Sequence, residues 1–200
     1  MLKIGLTGGL GCGKSFVGDA LESYGCLLIR ADELGHQVLA RGGEAYDEIV
    51  REFRGIVRED GEIDRRALAA QVFADPERLA RLNAIVHPRV MRREEELLSE
   101  FAAREPHGIG VVEAAILIET GSFRRYDRLI VVSCTEQQQL ERTIHRSGAS
   151  EQDVRARLSR QLPLSEKLKF ADFVIDTSGD KEDTLRQTRA VYEALRRIEL

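Results

Sequence analysis

Apolar positions in this chain alternate between short continuous runs and longer helical spacings. Leu2-Lys3-Ile4-Gly5-Leu6-Thr7 is short and mostly apolar, as a buried strand should be. A glycine-rich turn follows, and then Val17, Ala20, Leu21 and Tyr24 recur at helical spacing. Gly25 breaks that pattern, and Cys26-Leu27-Leu28-Ile29 predicts a second buried strand with Asp32 just past its end. Leu34, Val38 and Leu39 mark a helix closed by Gly42-Gly43.

From Glu44 to about Arg104 the pattern is helical almost throughout, with no strand. Ala45, Ile49, Val50 and Phe53 mark one helix, and Asp60-Gly61 a turn. Asp64 is placed to cap a helix through Phe73, and Asp75-Pro76 offers a cap followed by proline at the first helical position. Pro88, after His87, should break or restart the helix. Strand patterns return at Ile109 to Ala114, Leu129 to Ser133 and Phe173 to Ile175. Between them Glu136 to Arg146 is helical, Gly148-Ala149-Ser150 interrupts it, and Ser150 with Asp153 suggests a variant capping box. A last amphipathic helix spans about Asp180 to Ile198. Strands alternating with helices predict an α/β fold, a parallel sheet covered on both faces. The helical stretch at 44–104 reads as an insertion at the carboxyl edge of the sheet, where open α/β sheets bind ligands.

Composition removes several alternatives. The chain has 200 residues, enough for one domain with a real core, and its net charge of −4 gives no general attraction to nucleic acid or membrane. It has no apolar run near 18 residues, and its N-terminus enters the first strand at once, so neither a transmembrane span nor a signal peptide is expected. Cys12, Cys26 and Cys134 are odd in number and form no C-x-x-C pair, which argues against a disulfide framework and a zinc site and points to a reducing cytoplasm.

The chemistry is concentrated in Gly8 to Ser15, Gly-Gly-Leu-Gly-Cys-Gly-Lys-Ser, which fits the G-x-x-x-x-G-K-[ST] phosphate loop at every defined position. The strand before it and the helix after it supply the required context. Gly8, Gly9, Gly11 and Gly13 let backbone N–H groups close around phosphate oxygens, helped by the helix dipole. Lys14 is placed to reach the β- and γ-phosphates, and the Ser15 hydroxyl to ligate Mg²⁺. Cys12 lies inside the loop, near a helix N-terminus that lowers a thiol pKa; no catalytic role is expected, but alkylation there should block nucleotide binding.

Two roles fit Asp32: a base for an alcohol attacking the γ-phosphoryl group, or a helix N-cap. Glu113, ending a buried run, is placed to help organise Mg²⁺; Glu119 is a weaker acidic candidate that could simply face solvent. Residues 142 to 169 hold seven basic residues against three acids, which suits a lid over triphosphate. Arg142 and Arg146, four apart, share a helix face within it. Arg155 and Arg160 suit a solvated face better. His87 either contacts a substrate phosphate or fixes a junction between two helices. The other histidines, His36, His107 and His145, show no ligand spacing. No guanine-reading N-K-x-D stretch exists, and Lys14 stands where a G-x-G-x-x-G motif needs its third glycine, so neither a GTPase nor a dinucleotide-dependent dehydrogenase fits. A small-molecule kinase fits best. A nucleoside monophosphate kinase and a nucleotide-gated binding protein without an acceptor remain as alternatives.

The chain also resembles the dephospho-coenzyme A kinases. The resemblance rests on the opening from Ile4 to Ser15, Ala31-Asp32, His87-Pro88, and Val111 to Gly121 with Glu119-Thr-Gly. It continues through Arg146-Ser-Gly-Ala-Ser, Arg157-Leu-Ser-Arg-Gln161, and Lys167 to Asp172 followed by Val174-Ile175-Asp176. It covers essentially the whole chain. It implies a phosphate-loop (P-loop) NTPase-type core, about 1–43, 105–141 and 171–200, with a coenzyme-binding insertion at about 44–104 and a lid at about 142–170. It implies transfer of the γ-phosphoryl of ATP, with Mg²⁺, to the ribose 3′-hydroxyl of dephospho-coenzyme A. Gly11 to Phe16 would hold ATP phosphates, Asp32 would be the base, and Arg142 and Arg146 would belong to the lid. Gln161 falls in the lid pattern, and Thr177-Ser178-Gly179 would lie near the adenine. His87 and Glu113 would face the substrate, and Glu113 would join Ser15 at the metal. A cytoplasmic monomer or weak homo-oligomer, without nucleic-acid or membrane partners, is the expectation. Three positions depart from the family pattern: Arg30 stands where it carries an acid, Glu113-Ala114-Ala115 where it reads Asp then proline, and Cys12 where it has a loop serine.

Overall fold

The computed structural model describes residues 1–73 and 75–198, with Phe73 described by its backbone alone. In chain order the elements are β1 (Leu2–Gly8), α1 (Lys14–Ser23), β2 (Leu27–Arg30), α2 (Ala31–Leu39), α3 (Tyr46–Glu52), α4 (Arg65–Phe73) and α5 (Pro76–Arg104). They continue with β3 (Ile109–Glu113), β4 (Arg128–Ser133), α6 (Glu136–Ser147), α7 (Glu151–Leu158), α8 (Leu164–Leu168), β5 (Phe173–Asp176) and α9 (Lys181–Arg196).

The strands form one sheet in the order β2-β3-β1-β4-β5. β1 pairs in parallel with β3 on one side and β4 on the other, and β4 pairs in parallel with β5. This central position explains the apolar run at the N-terminus. Both faces of β1 are covered, so Ile4 and Leu6 are fully buried and Gly5 between them is buried too. The registers Leu6 to Glu113, Gly8 to Val132 and Ser133 to Asp176 bring the carboxyl ends of β1, β3, β4 and β5 to one edge. On one face α1 packs beside α9, burying Val17, Leu21, Val191 and Leu195, with the Tyr24 and Tyr192 rings 5.3 Å apart.

The chain divides into two compact units, Met1–Ile29 with the chain from Glu100 onward, and Arg30–Ser99. The second has its own core of Ile49, Phe53, Ile56, Leu68 and Ile85. Within it Arg89 on α5 reaches Glu48 on α3 at 2.6 Å, and Arg81 reaches Glu52 at 2.8 Å. Among the described residues no helix is long and apolar enough to cross a membrane.

Several local expectations hold. The Asp64 carboxylate accepts from the N–H groups of Arg66 and Ala67, and that of Asp75 from Glu77 and Arg78. Others need correction. Pro88 does not break the helix: α5 runs through it for 29 residues. Proline orphans the carbonyl four residues earlier and crowds it, but here the Arg89 guanidinium donates to the neighbouring Ile85 carbonyl at 2.6 Å and supports the backbone at that turn. The stretch between α3 and α4 is not helical; Val57 and Ile63 form an antiparallel bridge there, closing a loop around Asp60-Gly61. At Ser150 only half of a capping box forms: its hydroxyl accepts from Asp153 N–H and donates to the Asp153 carboxylate. A complete box stands instead at Thr135 and Gln138, opening α6.

Candidate active site

Gly8 to Ser15 leaves the centre of the sheet and turns into α1. Gly13, the N-cap of α1, sits at φ 80°, ψ 25°, a left-handed conformation that suits glycine, and has no side chain to occupy the helix N-terminus. Gly11, at φ +76°, is forced by packing as well: a Cβ there would lie 2.6 Å from the Gln139 carbonyl oxygen. The loop is therefore seated directly against α6. Lys14 Nζ folds back to the carbonyls of Gly8 (3.3 Å) and Gly9 (3.1 Å), keeping its charge over the loop. Leu10 N–H donates to Gln161 Oε1 at 3.1 Å, so the residue in the predicted lid pattern touches the loop backbone.

The Ser15 hydroxyl donates to Glu113 Oε1 at 2.9 Å. Glu113 is buried at the end of β3, as the strand pattern predicts, while Ser15 is exposed. This pair is all oxygen and carries one charge. Such a donor set fits Mg²⁺, a hard cation that commonly takes one or two protein oxygens and fills its remaining positions with phosphate oxygens and water.

The loop following β5 is tied to the same place. Thr177 is buried, and its hydroxyl donates to the Cys12 carbonyl at 2.9 Å. Arg142 donates to the Thr177 hydroxyl (2.9 Å) and carbonyl (2.8 Å). Thr177 and Arg142 thus buttress the phosphate loop. Ser178, beside them, gives its carbonyl to Gln138 Nε2 at 2.8 Å. Arg146 lies one turn along α6 and is exposed. Phe16 carries the Lys181 ammonium 5.8 Å from its ring centroid.

Asp32 and His87 belong to the Arg30–Ser99 unit. Asp32 is exposed in the first turn of α2 and is not its N-cap; Arg30 takes that position, makes no capping hydrogen bond with its side chain, and forms a 3.9 Å ion pair with Glu33 of the same helix. His87 is half-buried in mid-helix, so it fixes no junction between helices; burial lowers its pKa and favours the neutral imidazole.

Two features lie outside what periodicity reveals. Glu119 does not face solvent: its Oε1 pairs with the wholly buried Lys167 Nζ at 2.8 Å and accepts from Leu162 N–H at 3.0 Å. Lys167 therefore belongs to the interior and not to a basic surface. Cys12 is also fully buried, with the Cys134 thiol 3.3 Å and Gln139 Nε2 2.9 Å from its sulfur.

Residues 2–183 match the family model of dephospho-CoA kinase. This chain belongs to the dephospho-CoA kinase family. A dephospho-CoA kinase of Aquifex aeolicus is 41% identical over 198 residues, 98% of this chain and 99% of that protein. Among solved structures, TT1252 from Thermus thermophilus superposes with a TM-score of 0.84 at 36% identity, covering 96% of each chain. A dephospho-CoA kinase from Campylobacter jejuni gives a TM-score of 0.69 at 26% identity, again over 96% of each.

Proposed function

We propose that this chain transfers the γ-phosphoryl group of ATP to the ribose 3′-hydroxyl of dephospho-coenzyme A, giving coenzyme A in the last step of its biosynthesis. The observation that carries this reading is the family match over residues 2–183, centred on an intact phosphate loop. The proposed chemistry is in-line transfer, in which positioning and charge stabilisation supply most of the rate.

In this reading the Gly8–Phe16 backbone holds the phosphates. Lys14 leaves the Gly8 and Gly9 carbonyls to follow the β- and γ-phosphates. Ser15 and Glu113 would hold Mg²⁺, which would supply positive charge to offset the phosphates. Asp32 accepts the 3′-hydroxyl proton; its exposure leaves the carboxylate open to an incoming sugar. Arg146 closes on the phosphates from α6. Arg142 positions the Thr177–Ser178 loop, near which the adenine is placed. His87, neutral near pH 7, serves the acceptor as a hydrogen-bonding group better than as a phosphate-binding cation. The chain works in the cytoplasm as a monomer or weak homo-oligomer, without nucleic-acid or membrane partners.

An acceptor panel tests the assignment. With ATP and Mg²⁺, ADP release should depend on dephospho-coenzyme A and not on nucleoside monophosphates. Equal turnover with a nucleoside monophosphate would move the chain to another kinase class, and acceptor-independent hydrolysis would leave only a nucleotide-gated binder.

A further inference from the structure

The mechanism above leaves a buried pair of sulfur atoms unused. Cys12 lies inside the phosphate loop and Cys134 just past the end of β4, with their sulfurs 3.3 Å apart. Neighbouring strands bring them together: β1 pairs with β4 in the register Gly8 to Val132, and both cysteines follow those positions. Cys134 also lines a cavity of about 510 Å³ with Gly9, Gln139 and the segment from Leu158 to Ser165. A small oxidant in that cavity meets the pair from the Cys134 side.

We propose that Cys12 and Cys134 are a reversible oxidation site, forming an intramolecular disulfide that holds the phosphate loop out of its nucleotide-binding geometry. The oxidant class is a hydroperoxide. Cys134, the sulfur that lines the cavity, gives its proton to the Cys12 thiolate and attacks one peroxide oxygen; the O–O bond breaks, leaving a sulfenic acid on Cys134 and a hydroxide that leaves as water after protonation. The Cys12 sulfur then attacks the Cys134 sulfur, loses the proton it received and expels the hydroxyl as a second water. The two thiols supply the two electrons that reduce the peroxide.

The surroundings favour this chemistry. The Cys134 S–H hydrogen bond, with help from the Gln139 amide and the Lys14 charge, outweighs burial and holds the Cys12 pKa below the usual thiol value, so Cys12 is the sulfur of the pair that accepts a proton from Cys134. Cys26, the third cysteine, is pushed up to about 12 by burial and stays an inert thiol. A disulfide needs about 2.05 Å between sulfurs, so the pair must close by roughly 1.2 Å. The loop has little room to absorb that shift. Its Cys12 carbonyl is held by Thr177, and a Cβ on Gly8 or Gly9 would meet Val132 O at 2.3 Å or Gln139 Nε2 at 2.0 Å. A displacement near 1 Å at a positioned reacting group costs about a hundredfold in rate.

The test is hydrogen peroxide treatment of the whole protein, followed by non-reducing peptide mass mapping and by the kinase assay. The covalent result is independent of the kinase reading; only its effect on transfer rests on it. The expected result is a Cys12–Cys134 cross-linked peptide, a fall in transfer of at least about tenfold, and recovery of both on adding dithiothreitol. Cys134→Ser should retain activity when reduced and resist the loss, while Cys26→Ser should behave as wild type. Peroxide that leaves both thiols free, oxidises either cysteine without the cross-link, or forms the cross-link with transfer unchanged would overturn the proposal.

Discussion

Replacing Lys167 with methionine should unfold this protein more readily by a margin large enough to measure. Its ammonium is wholly buried, 2.8 Å from Glu119 Oε1 and 2.8 Å from the Ala115 carbonyl. Methionine fits the aliphatic stem but strands a carboxylate whose side chain is only 17% exposed. Removing one member of a buried pair costs about 3–5 kcal/mol; the residual exposure of Glu119 puts this case near the lower limit, about 3 kcal/mol. In a chain of this size that lowers Tm by roughly 6–12 °C. Replacing both members by apolar residues should behave differently. Lys167→Met with Glu119→Leu removes both desolvation costs, a gain of about 1–4 kcal/mol. It leaves the Leu162 N–H without its carboxylate, a loss of about 1–3 kcal/mol. The double variant should therefore lie close to wild type. Urea unfolding of the four proteins at pH 7, with unchanged m-values, closes the cycle. A double variant destabilised by the sum of the singles, or a Lys167→Met cost below about 1 kcal/mol, would refute the reasoning.

Other substitutions separate the proposed roles. Asp32→Asn should bind ATP as wild type does by calorimetry, yet transfer roughly a hundredfold more slowly, as loss of a general base implies; wild-type turnover would remove the base assignment. Glu113→Gln should raise the Mg²⁺ concentration for half-maximal transfer roughly tenfold or more, since it weakens the carboxylate beside Ser15; an unchanged Mg²⁺ titration would detach Glu113 from the metal. His87 has a folded-state pKa below its ordinary 6.5. Between those two values the unfolded chain binds the extra proton, so wild-type stability should fall as pH drops below about 6.5. His87→Gln should lack that component in urea titrations between pH 7.5 and 5, and parallel curves for the two proteins would contradict it.

How far the chain could be read in advance depended on whether each feature is local. The phosphate loop carries its strand, glycines and helix within one segment, so Gly8 to Ser15 could be read directly, and side chains at Asp64 and Asp75 cap the backbone two and three residues on. Pro88 misled because its local rule is strong, yet the surrounding turn carries the helix through it. Glu119 and Lys167 are 48 positions apart in a polar-looking segment, and only packing makes them interior. Cys12, Cys134 and Gln139 meet because β4 lies beside β1, and nothing in the spacing of three cysteines indicates that adjacency. Thr177 sits in a loop expected near the adenine, and its grip on the Cys12 carbonyl is likewise a long-range contact.

The most direct measurement follows the γ-phosphoryl group itself. A single turnover with γ-labelled ATP, Mg²⁺ and dephospho-coenzyme A, quenched and resolved by chromatography and phosphorus NMR, shows where the label goes. The account predicts label in coenzyme A as a monoester on the ribose 3′-oxygen, in step with ADP. Label found only in inorganic phosphate, or on another oxygen of the acceptor, would contradict it.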